Sequence, residues 1–344
     1  MIHWEKRVFR FKRPSGTSRG VLEEKKSWFL YLEDLSSGTK GTGECSIIPG
    51  LSPDYSSDEQ YEELLDSFCR EINQRKMDVH GIEELMKKME AYPSILFGFE
   101  TAVADINSGG TGVFFDTPFT RNEQDIPING LIWMGSEEFM QEQIKAKLNE
   151  GFSCIKMKIG AIDFDTEREL LKQIRTQYTP DQMVLRADAN GAFSVEESLG
   201  KLQQLAELRL HSVEQPIKAG NWEAMQYICR NTPVPVALDE ELIGVDSGKR
   251  KELLELISPQ FIILKPSLHG GISGCREWIG LAESMGIGWW MTSALEMNVG
   301  LNMIAQFASC YSPELPQGLG TGGLYTENTP VRSEIVNGRM RFLK

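Results

Sequence analysis

The sequence predicts an α/β protein: a (β/α)7β modified TIM barrel preceded by an α+β domain. Three observations carry this. From residue 126 onward, short apolar, β-branched runs alternate with amphipathic helical stretches. Charged residues Lys158, Asp188, Glu214, Asp239 and Lys265 close successive runs at intervals of 25 to 30 residues, the length of one strand, one helix and two loops. The first 125 residues lack that period, with strands first and helices after them.

Trp4 to Lys12 and Ser27 to Leu32 read as strands, separated by the polar loop Arg13–Gly20. A second loop is expected over Gly41–Pro53. Ser57 opens a helix with Gln60 as its capping-box partner. A second helix is expected over Gly81–Ala91, and a third from Pro93 through Ala104. Ile126–Trp133 reads as the first barrel strand. Ser136 caps a helix with Met140, Ile144 and Leu148 on one face, closed by Gly151. The lysine strand follows, then a helix over Thr166–Tyr178. The strand carrying Asp188 is expected from Val184 to Asn190-Gly191 and leads to a capping box at Ser194 and Glu197. Helices over Trp222–Arg230, Ser247–Ile257 and Ser273–Met285 separate the later strands. A seventh strand over Gly288–Glu296 runs into the helix Asn298–Ser309. Leu315–Gly323 makes a weak eighth strand with no helix after it. Asn337-Gly338 marks a hairpin in the tail, expected to fold back on the first domain. The expected division is 1–125 joined by the tail 323–344, with the barrel over 126–322.

At 344 residues, with 41% hydrophobic and 25% charged residues, the chain has the composition of a globular protein. The 36 Lys and Arg stand against 49 Asp and Glu, a net charge of −13 without a basic stripe, which argues against nucleic acid. No apolar run reaches the roughly 20 residues of a membrane helix, and Met1–Arg7 has no signal-peptide core. The expectation is a cytoplasmic enzyme of a small-molecule substrate. Six cysteines without a C-x-x-C pair read as free, mostly buried thiols.

Lys156 and Lys158 lie two apart in a strand, so they share one side. The charged series then falls at the carboxyl ends of barrel strands, the face that carries active sites. Taken singly, Asp188 reads as a turn aspartate, Glu214 as a solvated strand end and Asn190 as a turn cap. The ordered series outweighs those readings. It reads K-x-K (Lys156, Lys158), A-D-A-N (Asp188, Asn190), E-Q-P (Glu214), L-D-E (Asp239) and L-K-P (Lys265). In that order it resembles the enolase superfamily, in its muconate-cycloisomerase-like subgroup. Phe97-Gly-Phe-Glu100, Asn129–Gly135 and Gly318–Gly322 are similar to the o-succinylbenzoate synthase family of menaquinone biosynthesis. The resemblance spans nearly the whole chain, including a capping domain and a helix-less eighth strand. It implies syn dehydration of 2-succinyl-6-hydroxy-2,4-cyclohexadiene-1-carboxylate (SHCHC) to o-succinylbenzoate. Sister activities are N-succinylamino acid racemization, muconate cycloisomerization and dipeptide epimerization. The last is disfavoured because Gly318–Tyr325 carries no acid. A reading of another class is an inactive barrel retained for binding; the complete set of lysines and carboxylates speaks against it.

The residue types fit that chemistry independently. Three converging carboxylates repel unless a hard dication lies between them. Asp188, Glu214 and Asp239 are the expected ligands of magnesium, or manganese in its place; the absence of Cys or His among them argues against zinc. The metal would stabilise the enolate formed on loss of an α-proton; superfamily sites pairing a lysine with magnesium are a known precedent. An ordinary lysine, near pKa 10.4, is protonated at neutral pH, and burial or neighbouring cations lower it. Lys158 is the expected base, and Lys265 the ammonium opposite. Lys156, Asn190 and Ser293 are expected substrate contacts. Glu240 and Glu241 are read as neighbours of the ligand Asp239, Glu296 as a rim partner of Lys265, and Trp289-Trp290 as barrel packing. Arg13 and Arg19 are candidates for the succinyl carboxylate. His269 is disfavoured as a base, and His3, His80 and His211 are expected at the surface.

Overall fold

The computed structural model describes residues 1–17 and 20–343. The chain opens with an antiparallel sheet of β1 (Ile2–Thr17), β2 (Gly20–Glu33) and β3 (Lys40–Ser46). Two expected loops are thus partly strand. Ser15, Gly16 and Thr17 pair with Leu22, Val21 and Gly20 beyond a register shift after Arg10. Residues 12–14 are exposed, so polar side chains are tolerated on this protruding hairpin. The β3 strand hides behind its glycines. A Cβ on Gly43 would lie 1.9 Å from Gly98 O, and one on Gly41 2.2 Å from Ala102 O. Glycine is what lets a helix backbone lie directly on the strand.

That helix is the third of α1 (Asp58–Arg75), α2 (Val79–Met86) and α3 (Pro93–Asn107). Ser57 caps α1 by accepting from Gln60 N–H, but Gln60 Oε1 turns to Ser56 instead of completing the box. The second helix starts earlier than expected, at the Asp78 cap. The third is buried along most of its length, as an apolar helix between a sheet and a second layer must be.

Next comes β4 (Ile126–Pro127), then β5 (Gly130–Ile132) and α4 (Glu137–Asn149). From there strand and helix alternate through β6 (Cys154–Lys158), α5 (Phe164–Gln177), β7 (Val184–Asp188), α6 (Val195–Ala206), β8 (Ser212–Glu214), α7 (Trp222–Asn231), β9 (Val236–Leu238), α8 (Ser247–Ile257), β10 (Phe261–Leu264), α9 (Gly271–Ser284), β11 (Gly288–Met291) and α10 (Asn298–Ser309). Seven parallel strands, β5 to β11, lie side by side in chain order. The seam is closed by Gln317 bridging Ile128 and Gly318 bridging Thr292, the weak eighth strand. Gln317 also accepts from Met291 N–H through its side chain, 2.7 Å away.

The expected first barrel strand is split. Ile126 and Pro127 pair with β13 (Arg339–Phe342) of the tail hairpin, whose other arm is β12 (Ser333–Val336), while Pro127 O on the barrel side accepts from Gln317 N–H at 2.8 Å. Pro127 has no N–H to give, and Ile128 N–H goes to Gly338 O. The tail turn has Asn337 and Gly338 at φ 49° and 68°, the pair a tight hairpin needs. Tyr325 bridges to Phe11 on β1, so the C-terminal segment touches both parts of the molecule. Five cysteines are buried and Cys310 is exposed; all are free. No helix among the described residues is long and apolar enough to cross a membrane. His211, expected at the surface, is half-buried and stacked on Phe261 at 4.7 Å.

Candidate active site

Alternation along β6 sets the site. Ile155 and Met157 join the apolar layer under the helices, so Lys156 and Lys158 point into the barrel. Register then carries charge around the ring: Lys158 pairs with Asp188, and Asp188 with Glu214. Asp239 and Lys265 follow directly after β9 and β10. Lys158, Asp188, Glu214 and Asp239 are buried at one end of the barrel, and Lys265 beside them is half-buried.

The side chains interlock. Lys156 Nζ lies 2.5 Å from Glu214 Oε2 and 2.9 Å from Asp188 Oδ2. Lys158 Nζ donates to Asp188 Oδ2 at 3.0 Å and to Asn190 Oδ1 at 2.5 Å. From the far wall, Lys265 Nζ donates to Asp239 Oδ2. Asn190 Nδ2 reaches Glu240 Oε1 at 3.0 Å. Glu241 points away, accepting from Gln215 Nε2 and Gly220 N–H.

The electrostatics follow from crowding in a dry place. Burial pulls the Lys156 pKa down, but Asp188 and Glu214 outweigh it and the net shift is upward. Burial likewise opposes Lys265, and Asp239, Glu240 and Glu214 win. Burial and the nearby Asp188 push Glu214 well up. Burial would raise Asp188 and Asp239, yet their lysines hold both below the ordinary range. The cation-induced lowering expected for the lysines is therefore not the balance for Lys156 and Lys265: their nearest neighbours are carboxylates.

Ammonium groups stand between the carboxylates, and among the described residues no three carboxylate, His or Cys groups converge on one point. The donor chemistry nonetheless suits a hard dication. Glu214 Oε1 and Asp239 Oδ1 are buried without a hydrogen-bond partner among the described residues, and every donor is a carboxylate oxygen.

A cleft of about 160 Å³ opens over this cluster. Lys156, Lys158, Asp188, Asn190, Glu214, Lys265 and Ser293 all line it, while Asp239 sits behind Lys265. Ser293 Oγ shares a hydrogen bond with Thr321 Oγ1, 2.6 Å away. The roof comes from the N-terminal sheet and its following loop, through Gly20, Val21, Leu22, Ile48, Pro49 and Leu51. Trp133 and Trp290 complete the apolar wall, with Lys158 Nζ 5.8 Å from the Trp133 ring centre. Trp290 is thus both packing, under Arg186 at 3.9 Å, and cleft lining. Trp133 lies in the stretch Asn129–Gly135 that carries the family resemblance, whereas nothing local in the sequence singles out Leu22, which reaches the cleft only through the fold.

Other candidates fall elsewhere. Glu296 accepts from Ser267 Oγ and faces Lys25 rather than Lys265. His269 is buried, its Nδ1 accepting from Lys265 N–H at 2.9 Å, so it orients the strand end. Arg13 lies over Phe139, 6.0 Å from its ring centre, in a neighbouring cavity that shares Trp133 and Thr321 with the cleft. Arg19 lies outside the described residues.

Comparison with known proteins agrees with this geometry. The enolase C-terminal domain-like family model matches residues 139–343. An o-succinylbenzoate synthase from Desulfotalea psychrophila is 46% identical over 353 residues, covering 95% of each chain. An N-succinylamino acid racemase from Thermus thermophilus is 34% identical over 157 residues, 46% of this chain and 40% of that one. The crystal structure of MenC from Desulfotalea psychrophila superposes with a TM-score of 0.86 at 41% identity, covering 99% of both chains. A dipeptide epimerase from Enterococcus faecalis shares the fold, with a TM-score of 0.86 at 18% identity, covering 100% of this chain and 96% of that one. The chain belongs to the enolase superfamily, in its mandelate racemase/muconate lactonizing subgroup.

Proposed function

We propose that this chain is an o-succinylbenzoate synthase, a hydro-lyase that removes water from SHCHC to give o-succinylbenzoate for menaquinone biosynthesis. One observation carries the reading: Lys158 on β6 and Lys265 after β10 reach one cleft from strands four apart in the barrel order, with a carboxylate cluster between them. The 46% identity to the Desulfotalea enzyme over nearly its whole length supports the substrate.

In this reading Lys158, as the neutral amine, takes the proton α to the substrate carboxylate and becomes an ammonium. Lys265, as an ammonium opposite, balances the negative charge that develops. The C–O bond to the ring hydroxyl then breaks, Lys158 returns its proton to the departing oxygen, and water leaves from the ring face from which the α-proton was taken. The ring becomes aromatic, which drives the step forward. Lys156 holds Asp188 and Glu214 in place beside the base, and Asn190 fixes the Lys158 ammonium through its Oδ1. Ser293 is placed to contact a substrate carboxylate. Asp188, Glu214 and Asp239 would hold magnesium, which supplies positive charge where the substrate carboxylate gains electron density. The apolar walls of Trp133, Trp290 and Leu22 exclude water from the base. The proposal assigns the roof to a capping unit, residues 1–125 with the tail 323–344, and the chemistry to the barrel, residues 126–322.

The test is magnesium-dependent formation of o-succinylbenzoate from SHCHC, beside Lys158→Ala and an EDTA control. Turnover lost in both controls supports the assignment. An inactive wild type that exchanges the α-proton of N-succinylamino acids in D₂O would replace it with the racemase reading.

A further inference from the structure

We propose that Lys25 and Glu44, both on the N-terminal sheet, are positioning residues that hold segment 292–300 as one wall of the cleft. The inference rests on the functional reading above. Thr292, Ser293, Ala294 and Leu295 line the cleft. Leu295 sits at φ 64°, a left-handed conformation that a leucine adopts only when its surroundings impose it. The helix that follows, α10, begins after Met297 with no side chain of its own segment capping it. Thr292 and Ser293 are tied to the barrel through Leu264 and Gly318, but among the described residues no strand pairing continues from Ala294 onward.

The N-terminal sheet supplies both restraints. Glu44 Oε1 accepts from Met297 N–H and its Oε2 from Gly300 N–H, each at 2.8 Å. A carboxylate there satisfies two orphan donors and meets the positive end of the helix dipole. Ser27 Oγ donates to Glu44 at 2.9 Å and fixes its rotamer. Gly300 leaves the space, since a Cβ there would stand 3.1 Å from Glu44 Oε2.

Lys25 ties the other end. Its Nζ donates to Ile47 O at 2.5 Å and to Ala294 O at 3.1 Å. Ile47 precedes roof residues Ile48 and Pro49, and Ala294 is in the wall, so one ammonium sets the distance between roof and wall. Glu296, buried and bonded to Ser267, faces Lys25 and balances its charge. Tyr325 O–H donates to Leu295 O at 2.7 Å and closes the set. Lys25 is 3% exposed, and Glu44 and Glu296 are 0% exposed. Three buried charges outside the proton-transfer chemistry are costly where apolar side chains could pack. Each of the three either lies in segment 292–300 or bonds to it: Lys25 to Ala294 O, and Glu44 to Met297 and Gly300 N–H.

The test uses Lys25→Met and the isosteric Glu44→Gln, with Lys6→Met as control. Lys6 lies on the same sheet but pairs outward with Asp58 and Glu62. Steady-state dehydration of SHCHC and hydrogen exchange of peptide 292–301 are measured together. The expected result is a KM raised at least tenfold with kcat within threefold, and faster exchange over 292–301 with β6 unchanged. Lys6→Met should move neither. Unchanged KM and exchange, or losses that only track global stability as in the control, would overturn the proposal. A wild type inactive on SHCHC would count against the functional reading; exchange, read without turnover, would still decide whether Lys25 and Glu44 hold the wall.

Discussion

Glu100→Ala should destabilise the fold by about 2–3 kcal/mol, through a helix whose first turn lies 172 positions further along the chain. Helix α9 starts after Gly270 with no side-chain cap of its own. Glu100 on α3 replaces that cap: Oε2 accepts from Ile272 N–H at 2.5 Å and Oε1 from Ser273 N–H at 2.9 Å. A local cap is worth roughly 0.5–2 kcal/mol, and a bond to a charged group about 1.5–3 kcal/mol. Ile272 is buried, so its N–H loses its partner outright; Ser273 N–H is exposed and regains water. One full loss plus the dipole term, about 0.5–1 kcal/mol, gives the estimate. Glu100→Gln keeps one acceptor and should cost about 1 kcal/mol on the same scale. Urea unfolding followed by tryptophan fluorescence and far-UV circular dichroism measures both, with an unchanged slope confirming that stability alone moved. A loss below about 0.5 kcal/mol for Ala, or equal losses for Ala and Gln, would refute the capping argument. Activity should fall as well, because the turn from Lys265 to Gly270 leads straight into α9.

Magnesium at one hundred times its Kd should stabilise the fold by about 2.7 kcal/mol. At about 2.1 cal/mol/K per residue this raises Tm by about 4 °C for 344 residues, and Asp239→Asn should remove the rise in differential scanning fluorimetry. Gly43→Ala should cost about 3 kcal/mol or more, since its methyl would meet Gly98 O at 1.9 Å; denaturant midpoints no lower than wild type would disprove the close-packing account. Burial, with Arg186 beside it, lowers the His211 pKa to about 4 from the ordinary 6.5 of a histidine. The unfolded chain therefore binds a proton that the folded chain refuses between those values, and stability is lost as pH falls from 6.5 toward 4. With the ring half-buried, the loss is discounted to about 1–2 kcal/mol. His211→Phe keeps the stack on Phe261 and should flatten that limb of the stability–pH curve; an identical limb would assign it to other groups.

The sequence by itself determined what depends on neighbours a few positions away. The Ser194–Glu197 capping box forms as written, because both partners lie within one helical turn. The Asn337-Gly338 hairpin forms because its backbone angles are those residues' own preference. The strand-end series Lys158, Asp188, Glu214, Asp239, Lys265 was legible because one βα unit has a characteristic length, and parallel register then sets the charges side by side. Tertiary structure decided the rest. A polar hairpin read as loop became strand because it found a partner strand, and β3 was disguised by glycines whose purpose is contact with α3. Ile126 and Pro127 pair with the tail on one side while Pro127 O still meets Gln317 N–H on the other, a sharing that only the folded chain shows. Glu296, read as a barrel-rim partner of Lys265, faces Lys25 instead, more than 250 positions earlier. The caps of α9 and α10 come from Glu100 and Glu44, at sequence separations of 172 and 253 residues. An orphan N–H group at a helix start is visible in the sequence, but its partner is chosen by whichever buried acceptor the fold brings within reach.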